Sequence, residues 1–286
     1  MSQPEDSAAQ KILPEDIRYD HWYNSPAGLF ALLAQESMVR KMTSGWPRRG
    51  HKLLELYCGA GQFLEAFWQS GFDVTGQERS AYLLEKARDR LRHTADFTGG
   101  HPEHLPFDDK SFDYVVCLNG LEFAERPQAV LAEMLRLASL GLLLAFPNSW
   151  SWYSLGRLLA VRKGAQAEKS CCSGFKRTIS PLRMHSWLRE AGLDGKIRWG
   201  ANLLGPACTW RMHKFLGRIN LISVPLPLGA FSLARIDLAP SLAGNQLLVN
   251  VRRPLTTKAA AGSTACANPG FFPQDKPAGR VSAPPR

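Results

Sequence analysis

From residue 52 onward, short continuous apolar runs alternate with stretches whose apolar residues recur every three or four positions. Lys52–Tyr57 is a brief apolar run halted by Gly59-Ala60-Gly61, and Gln62–Gln69 continues at helical spacing. Phe72–Gln77 reads as a strand. Ser80–Leu91 opens on an N-cap serine and sets Leu83, Leu84, Ala87 and Leu91 on one face. Phe112–Leu118 is unbroken and apolar, the mark of a strand buried on both faces. Pro127 suits the first position of a helix that turns Val130, Leu131, Met134 and Leu135 inward, and Gly141–Phe146 is a further buried strand ending at Pro147. Ser180-Pro181 opens a helix closed by Gly192, while Lys196–Ala201 and Gln246–Arg252 read as two late strands. Strands and helices alternating at this spacing require right-handed crossovers, hence a mostly parallel α/β sheet with helices on both faces.

The flanks divide the chain further. Residues 1–15 read as a flexible lead and 254–286, rich in Ala, Gly, Pro and Ser, as a disordered tail, leaving one domain over 16–253. Within it, 16–50 holds Trp22, Tyr23, Leu29, Phe30, Leu32, Leu33 and Val39 at helical spacing, broken near Pro26-Ala27-Gly28. Two stretches, 148–178 and 203–243, interrupt the alternation and are expected to be insertions beside the site. Pro206, Pro225, Pro227 and Pro240 keep a single strand or long helix from running through the second.

Composition narrows the picture. In 286 residues, 45% hydrophobic and 10% aromatic, there is material for an ordinary core that needs no staple. The six cysteines show no metal or redox spacing; Cys58 and Cys117 sit in apolar runs as small buried thiols, and no metal is expected. The net charge of +10 is spread without a basic, aromatic-interleaved stripe, so no nucleic-acid partner is expected. No run of 18 or more apolar residues suggests a transmembrane helix, and Met1–Lys11 has no apolar signal core. A cytoplasmic location is expected, with peripheral membrane contact through the apolar, proline-rich 220–235 as a weaker expectation.

In open parallel sheets, ligands sit at the carboxyl ends of strands. The first strand here ends in Glu55-Leu56-Tyr57-Cys58-Gly59-Ala60-Gly61, where Gly59 and Gly61 allow a tight turn with helix N–H groups behind it. Glu78 follows Gly61 by 17 residues at the tip of the second strand, placed to accept the two hydroxyls of a ribose. The glycines alone leave the nucleoside open. A dinucleotide turn needs a third glycine where this chain has Leu64, and Glu55 is poorly placed beside a diphosphate but well placed for a cationic ligand.

This stretch resembles motif I of the class I S-adenosylmethionine-dependent methyltransferases, in the small-molecule branch called type 11. His101-Pro102-Glu103-His104-Leu105-Pro106-Phe107-Asp108-Asp109-Lys110-Ser111-Phe112-Asp113, Leu121-Glu122-Phe123 and Phe146-Pro147-Asn148 resemble further family segments, and Tyr19-Asp20-His21-Trp22 is similar to the family's cofactor-capping lead. The resemblance covers roughly residues 19–195. It implies a Rossmann-like fold with a seven-stranded sheet and S-adenosylmethionine as cofactor. It further implies that Glu55, Tyr57, Gly59 and Gly61 hold the methionine end, Glu78 the ribose and His101 the adenine edge, with Asn119 under the methyl and Tyr19 over the carboxylate. Tyr57 stands where the family usually has glycine, and His101-Pro102 replaces an acidic pair. The methyl donor is already activated, so positioning and water exclusion suffice and no general base is nominated. Apolar flanking stretches suggest a small, largely apolar or lipid-like acceptor. The chain lacks an Asn/Asp-Pro-Pro-aromatic element after the fourth strand, against methylation of nucleic-acid bases. The alternatives are a cofactor-binding relative without turnover and a nicotinamide-dependent oxidoreductase.

Overall fold

The computed structural model describes residues 14–156, 178–193, 197–206, 209–210 and 215–238. Its strands are β1 (Lys52–Leu56), β2 (Asp73–Glu78), β3 (Ala95–Gly99), β4 (Phe112–Leu118), β5 (Ala138–Pro147), β6 (Ile197–Asn202) and β7 (Phe231–Asp237). They form one sheet in the order β3-β2-β1-β4-β5-β7-β6. All neighbours are parallel except β7, which runs antiparallel to both β5 and β6. The strand order reverses between β1 and β4, which opens the crevice where ligands bind in such sheets.

The helices are α1 (Pro14–Tyr23), α2 (Pro26–Met42), α3 (Gln62–Gln69), α4 (Ala81–Leu91), α5 (Pro127–Leu137), α6 (Pro181–Glu190) and α7 (Phe215–Ile219). Alternation of side chains along the strands divides the core in two. Leu53, Val116 and Leu143 pack with α2 and α3 on one face, while Leu54, Val115 and Leu142 pack with α5 and α6 on the other. The predicted α/β sheet covered on both faces is therefore observed.

Three details differ from the sequence reading. Polar, half-exposed Ala95–Gly99 forms β3 at the sheet edge, where no apolar run announces a strand. The last strand of the sheet is β7, inside the stretch expected to be an insertion, and Gln246–Arg252 lies outside the described residues. The proline argument holds for 203–230, but the seven residues after it are proline-free and six of them are buried. Finally, α1 begins at Pro14, and the expected tail at 254–286 lies outside the described residues.

The α1–α2 pair reaches the sheet through polar anchors. Asn202 Nδ2 donates to the Ala34 carbonyl (2.6 Å), and Arg235 Nη1 donates to that of Met42 (2.5 Å). Trp46, just past α2, stacks on Tyr114 of β4 at 4.1 Å between ring centroids and donates its indole N–H to Asp237 (3.1 Å). Arg235 lies over the Trp46 ring and pairs with Asp237, so a cation inside a buried strand keeps both a counter-ion and an aromatic face. These contacts hold the α1–α2 pair in place above the carboxyl ends of β1 and β4.

The Leu105–Asp113 segment that resembles a family signature is a scaffold. Arg136 of α5 donates to the carbonyls of Leu105 and Phe107 and to Asp109, and Glu133 accepts the Leu105 N–H (2.7 Å). Lys110 caps the end of α5 through the Leu135 and Ala138 carbonyls. Asp113 accepts the Lys52 N–H at the start of β1 (2.9 Å). The signature thus ties β1 to the loop before β4 and to α5.

Candidate functional site

The turn after β1 is built by backbone conformation. Tyr57, Gly59 and Gly61 take φ of 54°, 57° and 79°, and Asn119 after β4 takes 56°. The left-handed region is unstrained for glycine and costs a tyrosine or asparagine more, so two strained residues stand at the two neighbouring strand tips. Gly61 caps α3, turning that helix's N-terminus toward the crevice.

Glu78, at the tip of β2, reaches back to this turn. Its Oε2 accepts the Gly59 N–H (3.0 Å), and its Oε1 accepts the N–H groups of Arg79 (2.8 Å) and Ser80 (2.9 Å). A carboxylate offers about four acceptor positions, so three are filled and one on Oε2 is left for a ligand hydroxyl. Burial pushes the Glu78 carboxyl up from its usual range, against the pull of those three N–H groups.

Glu55 lies on the next strand, 1% exposed, and its Oε2 has no hydrogen-bond partner. Burial, with a smaller contribution from Glu78, holds its carboxyl well above the usual carboxylate range. An orphaned acceptor in a dry pocket costs free energy until a donor arrives. A cationic donor such as an ammonium group fits both the charge and the vacant lone pair, as a diphosphate does not.

Tyr19 of α1 covers the turn: a β-carbon on Gly59 would stand 3.0 Å from its Cε1 and 3.2 Å from its hydroxyl. Its ring packs edge-on against Tyr23 (4.9 Å) and Phe123 (6.4 Å). Burial raises its hydroxyl well above the ordinary phenol range, as do Tyr23 and the two carboxyls. Asn119 donates through Nδ2 to the Tyr23 hydroxyl (3.1 Å) and to Gln35 (3.4 Å), while its Oδ1 is buried without a partner.

Tyr19, Glu55, Gly59, Gly61, Glu78 and Asn119 therefore gather over the ends of β1, β2 and β4. Tyr57 is bound into the same turn, its N–H on Gln77 Oε1 (3.2 Å), and its ring lies against Gly120. His101 stands apart. Its side chain is 75% exposed beyond β3, 4.0 Å from Glu103. Sequence reasoning missed Tyr23, Gln35 and Gln77, whose roles depend on partners distant in the chain. It also gave no role to Glu122, in the 3-10 turn Leu121–Phe123, which is 2% exposed with both carboxyl oxygens unpartnered.

Leu64 bears on cofactor identity. A β-carbon on Gly76 of β2 would come 2.8 Å from Leu64 Cδ2 and 2.9 Å from Cys58 Sγ. The close helix–strand approach that a dinucleotide turn obtains with a glycine on the helix is obtained here with a glycine on the strand.

Beyond Asn119, a narrow void of about 10 Å³ is lined by Trp22, Asn119, Tyr153, Trp210, Ala230 and Phe231, among others. Tyr153 stacks on Trp210 at 5.2 Å. Trp150 and Trp152, the neighbouring aromatics after β5, are 57% and 66% exposed, so helical packing takes up only Tyr153.

Residues 54–146 match the family described as "Methyltransferase domain", type 11. A demethylmenaquinone methyltransferase from Renibacterium salmoninarum is 37% identical over 92 residues, which are 32% of this chain and 38% of that protein. A ubiquinone biosynthesis O-methyltransferase from Pseudomonas aeruginosa is 30% identical over 159 residues, 51% of this chain and 66% of the relative. The chain thus matches less than two thirds of the length of these curated relatives. Among solved structures, a SAM-dependent methyltransferase from Thermotoga maritima superposes with a TM-score of 0.57 at 23% identity, covering 77% of this chain and 95% of that one. That likeness concerns the fold.

Proposed function

Since the chain carries a class I S-adenosylmethionine-dependent methyltransferase domain of the type 11 branch, we propose that it transfers a methyl group from S-adenosylmethionine to a small, largely apolar acceptor. The observation that carries this reading is the pair of buried carboxyls at adjacent strand tips, one of them with an orphaned oxygen.

Glu55 would meet the ammonium group of the methionine end, with Tyr19 closing over its carboxylate and Gly59 and Gly61 allowing the backbone to approach. Glu78 would take a ribose hydroxyl through its remaining acceptor position. Asn119 would lie beneath the methyl group, and Tyr57 would wall the same end. His101 would lie at the outer, adenine end. When bound, the cofactor supplies a methyl on a positively charged sulfur, so the acceptor atom displaces a neutral thioether. The protein's contribution is orientation and exclusion of water, for which the wall of Trp22, Tyr153, Trp210 and Phe231 is suited.

An apolar acceptor is supported by that wall and by relatives named for quinone methylation. The reading includes a cytoplasmic location, supported by the free buried thiols Cys58 and Cys117, and approach of the acceptor by peripheral membrane contact. No helix among the described residues is long and apolar enough to cross a membrane.

Calorimetric titration with S-adenosylmethionine and S-adenosylhomocysteine tests the cofactor. Both should bind the wild type, and Glu78→Ala should bind both at least about tenfold more weakly, as for loss of one charge-assisted hydrogen bond. Absence of binding to the wild type would overturn the reading. Equal binding by Glu78→Ala would overturn the placement of the ribose.

A further inference from the structure

The net positive charge divides unequally along the chain. Residues 1–133 carry 14 Lys and Arg against 20 Asp and Glu, whereas residues 134–236 carry 15 against 3. The second stretch also holds a patch of exposed apolar side chains. Trp150, Trp152 and Leu155 follow β5, and Ile222, Leu226 and Leu228 precede β7, all 45–66% exposed. The two segments lie side by side, because Asn148 Nδ2 donates to the carbonyls of Pro227 (2.7 Å) and Gly229 (3.1 Å). An open groove of about 420 Å³ runs along Ser149–Leu155.

These segments have two sides. Tyr153 and Ala230 face inward and line the void beside Asn119, while their neighbours Trp150, Trp152, Leu226 and Leu228 face solvent. Cationic residues lie near the patch in sequence: Arg157 comes two residues after Leu155, and Arg211, Lys214 and exposed Arg218 precede the second segment. From Gly195 to Ile236 there is no acidic residue. Exposed tryptophan and aliphatic side chains within a cationic, acid-poor stretch combine the two attractions that hold a protein on an anionic bilayer. A nucleic-acid groove would need aromatic and basic side chains interleaved with polar ones, and this patch is instead aliphatic at its tip.

We propose that the face formed by Trp150–Leu155 and Ile222–Leu228 docks on an anionic lipid bilayer, while Tyr153 and Ala230 of the same segments face inward beside Asn119. The earlier expectation of contact over 220–235 is thereby redrawn. Phe231–Arg235 belongs to β7 and is buried, and the outer partner of the 222–228 loop is the tryptophan segment after β5.

The test is flotation of the full chain with vesicles of phosphatidylcholine alone and of phosphatidylcholine mixed with phosphatidylglycerol, with no cofactor present. The wild type should bind the anionic vesicles, bind neutral ones several-fold less, and lose binding as salt rises. Trp152→Ala combined with Leu226→Ser and Leu228→Ser should lower partitioning at least about tenfold, since each exposed side chain would no longer leave water. Arg218→Gln should lower it a few-fold on anionic vesicles only. Failure of the wild type to bind anionic vesicles overturns the proposal, and so does undiminished binding by the folded triple variant. Binding to duplex RNA in place of vesicles overturns it as well and gives the basic face to nucleic acid. If the triple variant does not fold, quenching of wild-type tryptophan fluorescence by brominated phosphatidylglycerol vesicles decides, and absence of quenching overturns the proposal. Because no cofactor enters the assay, its failure leaves the methyl-transfer reading intact, and failure of cofactor titration leaves the vesicle result intact.

Discussion

Glu122 makes a quantitative prediction about stability. It sits in the turn after β4, 2% exposed, with neither carboxyl oxygen hydrogen-bonded. Burial raises its carboxyl from 4.5 to about 8. Below the unfolded value, both states hold the proton and stability does not change with pH at this site. Between 4.5 and 8 the folded state keeps the proton and the unfolded state has released it, so stability falls as pH rises. The slope is about 1.4 kcal/mol per pH unit, and across the interval the loss reaches about 5 kcal/mol. Above pH 8 the loss is complete and constant.

Glu122→Gln keeps the shape and the neutral polar character while removing the titration. Urea denaturation of both proteins from pH 5 to pH 9, with free energies from linear extrapolation, reads the difference directly. At pH 5 the two should agree to within about 1 kcal/mol. At pH 7 the glutamine protein should be more stable by about 3 kcal/mol, and beyond pH 8 by about 5 kcal/mol, a large fraction of the stability of an ordinary domain. Parallel curves would show that the folded carboxyl titrates as in water, and the burial argument would fail. A glutamine protein that is less stable at every pH would show that the charged carboxylate has a partner, which would refute the argument in the opposite sense.

Two further predictions concern the nucleoside turn. Gly76→Ala should destabilise by about 1–3 kcal/mol through overpacking, seen as a lowered Tm, since Leu64 Cδ2 and Cys58 Sγ would stand 2.8 and 2.9 Å from the new carbon. An unchanged or raised Tm would contradict the close helix–strand contact. Burial holds the Glu55 carboxyl above its usual range, and an arriving ammonium group pulls it back down, so cofactor binding should release protons from this site. Calorimetry in two buffers of different ionisation enthalpy should show more proton release by the wild type than by Glu55→Gln. Equal proton counts would remove Glu55 from the ammonium.

What could be read from the sequence follows from how local each feature is. β4 was legible to the residue because a parallel strand buried on both faces is a continuous apolar run, and Phe112–Leu118 is one. β5 was legible in its core but not at its start. Ala138–Leu140 adds three residues directly after α5, through a register shift between Phe112 and Tyr114 that no apolar pattern marks. β3 lies at the edge, needs only one buried face and carries Asp96 and Thr98, so its strand signal is lost in polar residues. β7 was hidden by Pro227 and Pro240, which flank it closely, and it carries Arg235, whose burial depends on Trp46, Asp237 and the Met42 carbonyl around it.

The site divides in the same way. Glu55, Gly59, Gly61 and Glu78 lie within 24 residues, and their geometry is dictated by one strand–turn–helix–strand unit, so spacing alone brings them together. The other half joins α1 and α2 to the end of β4 across nearly a hundred residues, through Tyr23, Gln35 and Asn119. Such pairings follow from packing the cap onto the sheet, which Asn202, Trp46 and Arg235 enforce from the far side of the fold. A turn can specify a ligand's ribose from local chemistry, but what covers the ligand is set by tertiary anchors. Those anchors are made largely by polar groups, whose burial a hydrophobic pattern cannot foresee. Tyr57 sits at the junction of the two halves. Its positive φ is the cost of placing a full side chain in the nucleoside turn, and its ring fills the space before Gly120, where a β-carbon would stand 2.7 Å from ring atom Cδ2. The turn and the tip of β4 are thereby packed as one unit, so strain at the cofactor end and positioning of Asn119 are coupled through a single side chain.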